Sequence, residues 1–140
     1  MIFLLDTDVV SELRKKGTKR VDRNVVAWES GVSADMLYLS VVTILELELG
    51  VLQVSRRDSA QADVLRAWIN QHVLKAFDGR ILSLDVEIAQ RTAVLHVPDP
   101  RPEHDAIIAA TALVHNMTVV TRNTADFALT GVPTLNPWEA

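Results

Sequence analysis

The chain opens Met1-Ile2-Phe3-Leu4-Leu5-Asp6-Thr7-Asp8-Val9-Val10, and the run from Ile2 to Leu5 decides how the rest is read. A strand with one wet face alternates apolar and polar residues. A strand covered on both faces is apolar throughout. Ile2–Leu5 is of the second kind and ends on a carboxylate, so it reads as a buried strand of a parallel sheet. The same motif returns along the chain. Leu37–Leu39, Ile81–Leu84 (closed by Asp85) and Thr118–Thr121 read as further strands, and Val132–Leu135 as a short fifth. Helical stretches fall between them. They are expected at Val9 to about Lys15, Asp22–Glu29, Val41 to about Gln53, one long helix from Arg56 to about Phe77, Asp85–His96 and Glu103–Asn116. Gly17 separates the first two, and three prolines between Val97 and Pro102 make a rigid loop before the last. Strands alternating with helices define βαβ units, and hence an α/β fold around a central parallel sheet. In such sheets ligands sit beyond the carboxyl ends of the strands. Residues that directly follow strands are therefore the first candidates for chemistry.

Composition sets the outer limits. A chain of 140 residues, 49% apolar and 23% charged, has the size and balance of one globular domain, expected over residues 1–140. Cysteine is absent, which removes disulfides, thiolate metal sites and cysteine nucleophiles. Fourteen basic residues against 18 acidic give a net charge of -4, which excludes a uniformly basic nucleic-acid coat. The first ten residues carry no basic segment. The longest apolar helix stretch, Ala106–Val114, is about half a membrane span. A soluble, cytoplasmic protein with no membrane partner is the expectation.

The acids are placed more tellingly than they are counted. Asp6 ends the first strand and points toward the crevice, although it is also positioned to cap the following helix, as are Thr7 and Asp8. Glu46 and Glu48 lie inside the apolar run Val41–Leu49. At ~3.6 residues per turn they are about 200° apart, so both cannot share one solvent face. At least one must meet something that tolerates charge. Gly50, one turn beyond Glu46, mildly favours Glu46, with a helix-ending glycine as the commoner explanation. Asp105 opens the helix Ala106–Val114, where it also complements the helix dipole, with Glu103 and His104 as rivals. Asp126 follows the fourth strand within Thr121-Arg122-Asn123-Thr124-Ala125-Asp126-Phe127, where a turn role is the alternative. Asp85 reads as a structural helix cap.

His72, His96, His104 and His115 include no pair at zinc-helix spacing, and no glycine-rich phosphate loop occurs. An oxygen-donor set remains, and carboxylates suit Mg2+ or Mn2+. Residues 14–23 hold Arg14, Lys15, Lys16, Lys19, Arg20 and Arg23 against the single acid Asp22. That run is either a solvated face or a strip for RNA phosphates near the crevice. Aromatic residues are too few, at 5%, for a base-stacking sheet, so Trp28, Trp68 and Trp138 read as core or interface residues.

Several fragments, in order, resemble PIN-domain ribonucleases. Leu4-Leu5-Asp6-Thr7-Asp8-Val9-Val10-Ser11-Glu12 resembles their LDTNVxSE opening, with aspartate at position 8 where asparagine is usual. Thr43–Gly50 resembles their helix with glutamate four residues before glycine. Asp105 and the alanine-rich residues after it resemble DxxIAAxA. Thr121–Phe127 resembles TRNxxDF, and Leu135-Asn136-Pro137-Trp138 the tail of FitB-like VapC toxins. The resemblance implies a PIN-like three-layer α/β/α fold. It implies a site in which Asp6, Glu46, Asp105 and Asp126 hold Mg2+ or Mn2+, supported by Thr7, Thr121 and Asn123. It further implies RNA hydrolysis leaving a 5′-phosphate and a 3′-hydroxyl, a VapB/FitA-like antitoxin, a homodimer, and DNA contact only through the antitoxin. Two other readings share the start. Leu4–Val9 also resembles the opening of haloacid-dehalogenase-like phosphatases, with Asp6 as nucleophile. Those enzymes need a later lysine and acidic pair, and the last lysine here is Lys75. A non-catalytic PIN-like binding module is the third.

Overall fold

A computed structural model of the chain describes residues 1–139. Among these residues five strands form one parallel sheet in the order β3-β2-β1-β4-β5. The strands are β1 (Phe3–Leu5), β2 (Leu37–Ser40), β3 (Ile81–Leu82), β4 (Thr118–Val120) and β5 (Thr134–Leu135). β1 is central, with Phe3 opposite Leu37 on one side and Thr118 on the other.

The apolar opening explains the layers. Side chains alternate across a strand, and Phe3 and Leu5 pack on one face with Val10, Leu39, Leu47, Val51, Ile69 and Val73. Leu4 packs on the opposite face with Ile88, Ile108, Ala109, Val119 and Phe127. The first layer consists of α1 (Thr7–Leu13), α2 (Arg23–Ser30), α3 (Val41–Ser55), α4 (Ser59–Trp68) and α5 (Leu74–Ala76). The second consists of α6 (Val86–Leu95) and α7 (Glu103–His115). The alanines of α7 let it lie close against the sheet, and Ala106, Ala109, Ala110 and Ala112 are fully buried. Trp28, Trp68 and Trp138 all pack against the first core, as expected. This is the three-layer α/β/α arrangement around a parallel sheet.

The elements depart from expectation mainly at their ends. α1 begins at Thr7, two residues early, with Asp6 as its N-cap residue. The long helix from Arg56 is divided. α3 runs to Ser55, and Asp58 then caps α4 by accepting from the Gln61 amide at 3.0 Å. α4 and α5 are joined by a π-helical stretch, Ile69–Val73, whose Ile69 and Val73 reach the core. β3 stops at Leu82, because Leu84 is already half exposed at the sheet edge. Asp85 caps α6 through the Ile88 amide, as read from the sequence. No helix among the described residues is long and apolar enough to cross a membrane.

Chain order runs outward from β1 to β2 and β3, then returns to β4 on the other side of β1. The order reverses between β1 and β4, so the crevice lies beyond their carboxyl ends. Asp6 and Thr121 are the residues that leave those two ends.

Candidate active site

Asp6 and Thr121 are bonded to each other. The Thr121 hydroxyl donates to Asp6 Oδ2 at 2.9 Å, and the Thr7 amide donates to Asp6 Oδ1 at 2.8 Å. Asp6 is only 8% exposed and Thr121 is fully buried. The cap and crevice roles of Asp6 are therefore one arrangement, with one oxygen on the helix and one on the neighbouring strand end. Burial raises the Asp6 pKa. The Thr121 and Thr7 hydrogen bonds oppose that rise, and the charges of Glu46 and Asp126 add to it.

Thr7 extends the network to α3. Its hydroxyl donates to Glu46 Oε1 at 2.5 Å and lies 3.2 Å from the buried Thr43 hydroxyl. Glu46 Oε2 is 3.2 Å from His104 Nδ1. The two glutamates of α3 are thus both accounted for. Glu46 faces the crevice, and Glu48 turns away to pair with Arg66 of α4. Gly50 does not end α3, which continues to Ser55. A Cβ there would meet nothing within 4 Å. It lines the apolar groove that contains Thr7, Arg14, Glu46 and Trp68.

Asp105, in the first turn of α7, has its pKa pushed up to about 6. Burial is the largest cause, followed by the charges of Asp6, Asp126 and Glu46, and His104 opposes them. Asp126 is exposed in the 3-10 turn Thr124–Phe127, held by its amide on the Asn123 carbonyl at 3.0 Å. Asp6, Glu46, Asp105 and Asp126 therefore share one electrostatic field, although they come from four separate elements. Among the described residues no three acidic or histidine side chains already stand in a metal-ligating cluster. The protein's own donors hold Asp6 and Glu46 instead.

The supporting residues divide. Thr7 and Thr121 act through their hydroxyls, whereas Asn123 acts through its backbone, its amide donating to Thr121 Oγ1 at 3.0 Å. Two participants, His104 and Asp8, were named from sequence only as a rival of Asp105 and as a capping candidate. His104 reaches Glu46, and its place beside Asp105 in the first turn of α7 was the available signal. Asp8 accepts from the Arg122 amide through Oδ2 at 3.0 Å, and its Oδ1 is buried without a hydrogen-bond partner. Burial, and then the Asp6 charge, push its pKa up to about 6.

The basic run does not act as one face. Arg14 lies over Trp68 at 5.9 Å, and Lys16 pairs with Glu29 at 2.8 Å. Lys15 pairs with Glu12 at 3.1 Å. Lys15, Lys19 and Arg20 line an open cleft with Arg23, Arg122 and Trp138.

A parallel sheet with its order reversal at β1/β4, and an acid cluster at that reversal, define the class, and residues 3–132 match the PIN domain family. The chain belongs to that family. Within it, the chain is 37% identical over 144 residues to toxin FitB of Neisseria gonorrhoeae, covering 98% of this chain and 99% of FitB. It is 33% identical over 143 residues to VapC ribonuclease Y4jK of Sinorhizobium fredii, covering 99% of each. The solved structure of FitAB bound to an IR36 DNA fragment superposes with a TM-score of 0.87 at 34% identity, over 98% of this chain and 96% of that one. The chain thus sits in the VapC- and FitB-like branch.

Proposed function

We propose that this chain is an endoribonuclease that depends on Mg2+ or Mn2+, and the toxin member of a toxin–antitoxin pair. The observation that carries this reading is Asp6, a buried carboxylate at the sheet's reversal point that shares a field with Glu46, Asp105 and Asp126. The kinship with a VapC ribonuclease and with toxin FitB supports the RNA substrate and the toxin role.

The donor set fits a hard divalent cation. Every candidate ligand is a carboxylate oxygen, and burial, with the neighbouring charges adding to it, raises the proton affinity of Asp6 and Asp105, which a cation would relieve. Mg2+ keeps several waters and needs only one or two carboxylates, so a closed protein cage is not required. Asp6, Glu46, Asp105 and Asp126 would hold it. When bound, such an ion lowers the pKa of water and offsets charge on a phosphodiester.

The chain's own residues supply position. Thr121 and Thr7 fix both Asp6 oxygens and thereby the direction its carboxylate faces. Thr7 also fixes Glu46, so one threonine sets the relation between α1 and α3. Asn123 holds the turn that presents Asp126. Residues 1–140 would carry the reaction as one PIN-like domain. A VapB/FitA-like antitoxin would neutralise the site, and DNA would be met through that partner, as the FitAB complex with DNA supports. A homodimer is the expected free form.

Purified protein tests this with a structured RNA, Mg2+ and a chelator control. Wild type should cut RNA only with the metal, and Asp6→Asn should lose cleavage by at least about 100-fold while keeping its circular dichroism spectrum. Full cleavage by Asp6→Asn would remove Asp6 from the mechanism.

A further inference from the structure

The cleft beside the loop that follows α1 is lined by cations on a scaffold held by two acids. Its loop, residues 14–22, leaves α1 and turns at Gly17 with φ +87°, a conformation that favours glycine. Glu12 of α1, nearly buried, staples the loop from beneath. Its Oε1 accepts from Lys15 Nζ at 3.1 Å and its Oε2 from the Asp22 amide at 2.8 Å. Asp22 is occupied too, accepting from the amides of Asn24 and Val25 to cap α2. The two acids of the cleft are thus committed to the fold. Among the described residues Lys19, Arg20, Arg23 and Arg122 form no ion pair with a carboxylate. These cations, with Lys15, surround an open space of about 690 Å³. Arg122 lies over the Trp138 ring at 5.2 Å, which presents its guanidinium as a fixed plane.

The cleft is continuous with the acid site through Arg122. Its amide is held by Asp8, and the preceding residue, Thr121, holds Asp6. Arg122 thus belongs to the cleft wall and directly follows a residue of the acid site. We infer that the Lys19–Arg23 cleft, walled by Arg122 on Trp138, is the subsite for phosphates flanking the cut in a single strand of RNA. This rests on the ribonuclease reading and extends it to a surface outside the acid cluster. Backbone contact fits the residues present: charge is abundant there, and Trp138 is the single aromatic side chain of the lining.

The test uses the Asp6→Asn background, so that RNA is bound without being cut. Binding of a 12-nucleotide single-stranded RNA is measured by fluorescence anisotropy between 50 and 300 mM KCl. The variant is Lys19→Gln/Arg20→Gln/Arg23→Gln. The charge-matched control is Arg56→Gln/Arg57→Gln/Lys75→Gln, which lies outside the cleft. The cleft variant should bind roughly tenfold or more weakly at low salt, and its salt slope should fall by about 2, at ~0.7 per lost phosphate contact on a single strand. The control should bind like its parent. Melting curves of all three proteins should coincide. Equal RNA affinity of the two triple variants would overturn the inference. So would a cleft variant that keeps RNA affinity but loses its partner chain, which would make the cleft a protein interface. Failure of the ribonuclease reading is separately visible, because wild type would then leave the same RNA uncut in Mg2+.

Discussion

Thr121 is the residue on which the site's geometry turns. Among the described residues its hydroxyl is the one side-chain donor to Asp6, and both groups are buried. Thr121→Val keeps the shape and leaves Asp6 Oδ2 without that donor. The expected cost is about 1–3 kcal/mol, the range for a buried acceptor left unsatisfied, read by urea denaturation at neutral pH. Unchanged stability would mean that water replaces the hydroxyl. Asp8 works in the opposite sense. Its pKa lies at about 6 in the folded chain against 3.8 ordinarily, so between those values the folded state holds more protons than the unfolded one. Its contribution to stability is complete below pH 3.8 and is lost as pH rises through 6. In chelator, Asp8→Asn should therefore be more stable than wild type at pH 7, and the gap should close toward pH 4. A gap that does not vary with pH would contradict the burial of Asp8. Sequence resolved much at this scale. The helical wheel showed that Glu46 and Glu48 need different partners, and they have them. It did not show that His104 meets Glu46, because the contact joins α3 to α7 across 58 positions of chain. Nor did it distinguish the hydroxyl role of Thr7 from the backbone role of Asn123, which depends on the rotation of each side chain.

At the scale of elements, apolar runs located the central strands β1 and β4, because a strand covered on both faces leaves a continuous signature, while β3 and β5 at the edges are only half-buried. Their ends were less legible. Pairing stops where a neighbouring strand stops, and that lies outside the local sequence, as β3 shows at the sheet edge. The break between α3 and α4 was expected, but α4 starts at Ser59 and not at Arg56. Arg56-Arg57-Asp58-Ser59 contains no glycine or proline to mark that later start. The turn is made instead by Asp58, whose carboxylate starts α4 afresh. The corner brings Arg66 back against Glu48. Asp58→Ala should cost about 1 kcal/mol in thermal or chemical unfolding, the usual loss for an N-cap. No loss would assign the turn to packing of α4 on α3 alone.

Across the whole molecule the net charge of -4 conceals two regions of opposite sign. One is the acid crevice at the reversal between β1 and β4, where burial and like charges push carboxylates toward protonation. The other is the cleft where, among the described residues, Lys19, Arg20, Arg23 and Arg122 stand without carboxylate partners. Composition gave the sum, and only the fold shows that the two regions share an edge at Thr121-Arg122. A molecule so divided suits a polyanion that must be held by its backbone and cut beside the acids. The most direct measurement is sequencing of RNA 5′ ends after expressing wild type and Asp6→Asn in the same cells. New 5′-phosphate ends at recurrent sites with wild type, and none with Asp6→Asn, is the predicted result. The same ends from both proteins, or from neither, would contradict it.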